Sequence, residues 1–89
     1  DHLRASRHRT VGTKQTLKAV LRGQARKVYV ARDAEEHVVR DLIRACEARG
    51  IHIEYVDTMA ELGQACRIKV GSASAAILDQ EYGDSTMAK

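Results

Sequence analysis

Apolar side chains along this chain follow two different periods. KVYVA at 27–31 is a short apolar run with β-branched and aromatic residues, the profile of a strand buried on both faces. IHIEYV at 51–56 predicts a second strand and SAAIL at 74–78 a third, while Thr10 and Val11 form a brief strand before the first helix. Between the strands the spacing becomes helical. Leu17, Val20 and Leu21 recur at i, i+3 and i+4, and Gly23 supplies a left-handed stop. The second helix begins at DAEE, with Asp33 as its cap and Glu36 at the third helical position. Val38, Val39, Leu42, Ile43 and Cys46 then form its inward stripe, and Gly50 ends it. TMAEL opens a third helix through a capping box of Thr58 and Glu61 and reaches about Ala65.

Helices that alternate with strands act as crossovers, which implies parallel pairing and helices on both faces of the sheet. The predicted fold class is therefore α/β, a three-layer α/β/α sandwich around a small mixed, mostly parallel sheet. Eighty-nine residues suit one small domain. With no proline and no low-complexity stretch there is no internal linker, so residues 1–89 read as a single domain with its core at about 10–79. Residues 1–8 and 80–89 read as loose termini. No apolar run approaches the roughly 18 residues that cross a bilayer, and DHLRASRHRT lacks the apolar centre of a signal peptide, so the expected location is cytoplasmic.

Charge changes the picture, because it is unevenly placed. Residues 1–32 hold nine Lys/Arg against one acid, residues 33–57 three against seven, and residues 58–89 three against four. The basic first third points to a surface that meets a polyanion, although a basic tail serving solubility gives the same count. The first helix sharpens the choice. Helix N-termini favour acidic residues, as at Glu35, Glu36 and Glu61, yet this one opens GTKQTLK. Lys14, Lys18 and Arg22 fall in one row opposite Leu17, Val20 and Leu21, with Gln15 beside Lys18. Free N–H groups, lysines and a carboxamide converging there form an anion site; the alternative is a solvated face with an indifferent cap.

RIKVGSAS at 67–74 is a second candidate contact, a loop whose Ile68 and Val70 lead to Gly71 and small side chains that allow close backbone approach. It suits packing against unstacked nucleobases, or it is ordinary core edge. Catalytic chemistry finds no constellation. His2, His8, His37 and His52 are scattered, and neither Cys46 nor Cys66 has a histidine at metal-ligand spacing. GSAS is not a GxSxG elbow, and three tyrosines without Phe or Trp make a poor stacking surface. Both cysteines read as small buried apolar residues. No enzyme, metal or cofactor is expected.

GTKQTLKAVLRG at 12–23, VYVARDAE at 28–35, ARGIHIEYV at 48–56 and ELGQACRIKVGSASAAI at 61–77 together resemble the kink-turn RNA-binding superfamily of seven-Ae-type ribosomal proteins and its small bacterial branch. The likeness runs over about residues 10–79. It implies that the first loop and helix start occupy the widened major groove of a kink-turn, a helix–internal loop–helix RNA element with tandem sheared G·A pairs. The archaeal and eukaryotic pattern there is G-x-N-E-x-x-K. This sequence matches it at Gly12 and Lys18 and replaces the Asn-Glu pair by Lys14 and Gln15, which resembles the bacterial branch.

The resemblance further implies contacts from Thr13, from Arg32 and Asp33 at a strand end, and from Val39 near an extruded nucleotide. Ile68, Lys69, Val70, Gly71, Ser72 and Ala73 match the apolar loop over the bulged nucleotides, without the Arg-Pro pair of archaeal and eukaryotic members. Arg22, Arg26 and Lys27 would add phosphate contacts, which give affinity without sequence reading. The implied partner is a structured RNA, ribosomal or other, bound by a monomer in the ribosome or another ribonucleoprotein. A protein-binding adaptor on the same fold is the alternative.

Overall fold

A computed structural model describes residues 8–78. In chain order its elements are β1 (Arg9–Val11), α1 (Thr13–Leu21), β2 (Ala25–Ala31), α2 (Glu36–Arg49), β3 (Ile53–Val56), α3 (Met59–Ala65) and β4 (Ser74–Leu78). The expected α/β class and helix–strand alternation hold, and SAAIL is a strand over the predicted residues. The expected loose termini lie, apart from His8, outside the described residues.

The sheet has the order β1-β4-β2-β3. β2 pairs with β3 in parallel, whereas β4 runs antiparallel to both β1 and β2. Three strands thus point the same way, but the reversed β4 lies between two of them. "Mostly parallel" is therefore corrected: one ladder of the three is parallel. The cause is the segment after α3. It folds back along that short helix, with Ile68 N–H donating to Gly63 O at 3.0 Å and Ser72 N–H to Met59 O at 3.1 Å. The chain therefore re-enters the sheet from the end at which α3 began, and β4 must run backwards.

Strand side chains alternate between two cores. Val28, Val30 and Ala76 face α1 and α2, packing with Val20, Val39, Leu42 and Cys46. Tyr29, Ala31 and Ala75 face α3, with Leu62 and Cys66. Each fully buried Val or Leu contributes about 1.5–3 kcal/mol. Both thiols are buried and free, as expected, and they sit in different cores. Burial pushes each thiol pKa up, because a thiolate would be poorly solvated there.

Two helical expectations need revision. In α1 the buried residues are Thr16, Ala19 and Val20, while Leu17 only packs against the margin and Leu21 is 53% exposed. The inward face is turned one position earlier, because Thr16 finds a hydroxyl partner in Thr10 at 2.7 Å and can be buried without penalty. In α2, Val38 is exposed, and the N-cap is Glu35 with no side-chain cap bond. Asp33 caps a neighbour instead, its Oδ1 accepting from Met59 N–H at 2.8 Å in the first turn of α3. A turn at Arg32–Asp33 delays α2 and brings the carboxylate beside α3's free donors. The capping of α3 by Thr58 is as read, with Glu61 N–H donating to Thr58 Oγ1 at 3.0 Å.

Candidate nucleic-acid interface

Because β1, β2 and β3 run the same way and each leads into a helix, all three helix N-termini emerge at one end of the sheet. Two of those starts carry acid, Glu36 in α2 and Glu61 in α3; α1 carries none. Its N-cap is Gly12, at φ 95° and ψ 150°, with no side-chain cap. That combination belongs to a region essentially reserved for glycine. Gly12 O accepts from Thr16 N–H at 3.0 Å, which leaves the N–H groups of Thr13, Lys14 and Gln15 without intrahelical acceptors. Lys14, Gln15 and Lys18 are exposed, and neither lysine has an ion-pair partner among the described residues.

Beside this start runs the segment from Ile68 to Ala73, and Ser74 ties the two together. Ser74 O accepts from Gly12 N–H at 2.8 Å and from Ser72 Oγ–H at 2.7 Å, and the hydroxyls of Ser74 and Thr13 are hydrogen-bonded to each other at 2.7 Å. Thr16 and Ser74 are fully buried and Ser72 nearly so, so these hydroxyls form an interior brace under the surface. Within the segment Lys69, Val70 and Gly71 are exposed, Val70 at 71%. Ile68 and Ala73 are half-buried and Ser72 is buried, so these three hold the loop instead of presenting it. Gly63 allows that hold: a methyl group there would run into the Val70 carbonyl oxygen.

Arg67 directly precedes the segment. It is the one non-glycine residue with positive φ among the described residues, at 64°. The turn closes α3, with Arg67 N–H donating to Gln64 O at 3.0 Å and Ile68 N–H to Gly63 O at 3.0 Å, a Schellman pattern in which glycine usually fills Arg67's place. The left-handed conformation costs an L side chain about 1–2 kcal/mol. A guanidinium at a helix C-terminus recovers about 0.3–1 kcal/mol, less in salt. Nearby, Arg9 Nη2 donates to Cys66 O at 3.1 Å.

Other residues singled out in the sequence divide by place. Arg32 and Asp33 lie at the same sheet end, where Arg32 N–H donates to Val56 O at 2.7 Å and Ala31 N–H to Ala73 O at 2.9 Å. The Arg32 guanidinium leans toward the β3 side, 3.6 Å from Asp57 and 5.4 Å above the Tyr55 ring. Val39 is 4% exposed and lines an open cleft of about 280 Å³ with Arg32, Glu36 and Tyr55. Arg22 is the C-cap of α1, so about 12 Å of helix separates it from Lys14. Arg26 and Lys27 lie at the opposite sheet end, where β2 begins. Lys27 is also engaged: its Nζ sits 2.7 Å from Glu54, and this bond holds its pKa above the usual value.

Sequence reasoning did not find the Ser74 brace or the strained Arg67. The signals present were weak: hydroxyl residues at apolar positions of TKQT and SASAA, and an arginine where a helix needs its left-handed stop.

A profile of the ribosomal protein L7Ae/L30e/S12e/Gadd45 family matches residues 2–87. An RNA-binding protein of Caldanaerobacter subterraneus is 60% identical over 68 residues, 76% of this chain and 83% of that protein. The large ribosomal subunit protein eL8 of Haloquadratum walsbyi is 44% identical over 75 residues, 83% of this chain and 62% of its own length. Among solved structures, the 15.5kD RNA binding protein of Giardia lamblia superposes with a TM-score of 0.80 at 30% identity, over 98% of this chain and 73% of that one. Profile, relatives and architecture converge, and the chain belongs to the ribosomal protein L7Ae/L30e/S12e/Gadd45 family.

Proposed function

We propose that this protein is a non-catalytic RNA-binding protein that recognises kink-turn elements, with tandem sheared G·A pairs, in ribosomal or other structured RNA. The observation that carries this reading is the lone acid-free helix start at an end of the sheet where three helices begin, with exposed Lys14, Gln15 and Lys18 beside the exposed tip Lys69–Gly71. The names of the Caldanaerobacter and Giardia proteins support the RNA class, and that of the Haloquadratum protein supports a ribosomal setting.

The physics favours a bent RNA over a regular one. An A-form major groove is too narrow for side chains, so a reader of base edges needs a distorted region. In this reading Gly12 and Thr13 frame the approach, Lys14 and Lys18 donate to guanine O6 and N7, and Gln15 bridges base edges as donor and acceptor. Val70 and Gly71 cover the bulged nucleotides, held by Ile68, Ser72 and Ala73, while Lys69 meets phosphate. Arg32, Asp33 and Val39 border the extruded nucleotide from the cleft side, and Arg22 touches a more distant phosphate. The protein acts as a monomer in the cytoplasm, within a ribosome or another ribonucleoprotein.

Native-gel titration tests this with two RNAs, a stem carrying the asymmetric loop and G·A pairs and the same stem made continuous. The wild type should prefer the bent stem, and Lys18→Ala should weaken that complex about 5- to 150-fold, as expected for a contact worth about 1–3 kcal/mol. Equal affinity for both stems, or indifference to Lys18→Ala in a folded variant, would refute it. The latter is also what an adaptor on this fold would show.

A further inference from the structure

We infer that Arg67, next to the Lys69 already placed on phosphate, adds a further contact to the RNA phosphate backbone on the α3 side of the loop, apart from the base-reading side chains of α1. This rests on the RNA-binding reading but not on its kink-turn part.

Three observations carry it. Arg67 occupies a left-handed position that glycine would fill without strain, and the helix-end charge effect does not fully offset that strain. Its side chain meets no acidic partner among the described residues, and neither does that of Lys69. Finally, the turn is held fixed from both sides. The main-chain bonds to Gln64 and Gly63 fix one side, and half-buried Ile68, packed against the α3-side core, fixes the other. Arg67 and Lys69 are thereby left exposed on either side of that anchor, leading toward the tip at Val70.

Two exposed cations on a rigid turn, one kept at a conformational cost, fit a ligand carrying regularly spaced negative charge. A phosphodiester backbone has that character. It would be the stretch of RNA that passes the loop on the side away from α1. Such a contact adds affinity and salt dependence without sequence preference.

Arg67→Gly separates this role from a structural one, because the two predict opposite signs. Relief of strain should raise Tm by about 4 °C, while loss of a phosphate contact should weaken RNA binding about 3- to 10-fold in moderate salt and lower the slope of log K against log salt by about 1. The preference for bent over continuous stem should not change. Arg67→Lys should keep the slope, and Lys69→Ala should lower it in the same way.

The titrations use both RNAs and a series of KCl concentrations, with thermal denaturation alongside. A wild-type slope in Arg67→Gly, whichever way its Tm moves, overturns the inference, as does failure of the wild type to bind either RNA. Equal binding of both stems with a slope that depends on Arg67 would support the inference while refuting kink-turn recognition.

Discussion

Gly12→Ala is the substitution for which the structure gives the cleanest magnitude. A methyl group at this position would meet no heavy atom within 4 Å, so crowding contributes nothing. The whole cost is conformational. At φ 95° and ψ 150° the residue lies where an L side chain is held at about 1–3 kcal/mol of strain. Escape by rotation is blocked, since Gly12 N–H is bonded to Ser74 O and Gly12 O to Thr16 N–H, and both bonds join the strand end to the helix start.

For a domain of this size about 1 kcal/mol at Tm corresponds to roughly 4–8 °C, so a Tm loss of about 4–24 °C is expected. Gly50→Ala is the control. It also faces open space, but at φ 69° and ψ 28° it adopts the ordinary left-handed conformation, whose cost is about 1–2 kcal/mol. Thermal denaturation followed by circular dichroism reads the Tm of both variants, and urea titration with an unchanged m-value keeps the comparison in the folded state. An unaltered midpoint for Gly12→Ala would show that the junction relaxes freely and that the rigid helix start is misread.

The remaining stability predictions concern the loop and the thiols. Gly63→Ala places a methyl group against the Val70 carbonyl and 3.1 Å from Gly71 Cα, both backbone atoms, so the loop must move at a cost of about 1–3 kcal/mol. Amide NMR shifts should change across residues 68–72 but not at Lys14 and Gln15, and an undisturbed loop would contradict the packing. Burial raises both thiol pKa values above the usual 9.0. Their contribution is therefore complete below the ordinary thiol value of 9.0 and is lost as pH rises through the raised folded values, so the urea midpoint should fall across that alkaline window. Lys27, whose pKa is raised from 10.5 by Glu54, adds to the fall only above that window. A Cys46→Ala, Cys66→Ala double variant should lose most of this slope whatever its baseline stability; an equal slope would place the titration elsewhere.

By itself the sequence determined the elements and the chemistry they carry. Strand and helix periods, the Thr58 cap and the stops at Gly23 and Gly50 depend on neighbours within a few residues, so they are written locally. The anomaly of Lys14 at a helix start is local too, and so is the family likeness. Tertiary structure decided what depends on distant partners. Asp33 could cap α2 by sequence spacing, but a turn carries it to Met59, 26 residues away. Whether Thr16 or Leu21 faced inward depended on the hydroxyl of Thr10 across the strand–helix junction.

The direction of β4 depended on the chain doubling back along α3, which Gly63 permits by letting the Val70 carbonyl come close. That reversal sets β4 between β1 and β2, and with it Ser74 under both Gly12 and Ser72. The sequence supplied two candidate contact segments about fifty residues apart. Only the order of strands, fixed by burial on two faces and by long-range hydrogen bonds, made them one surface.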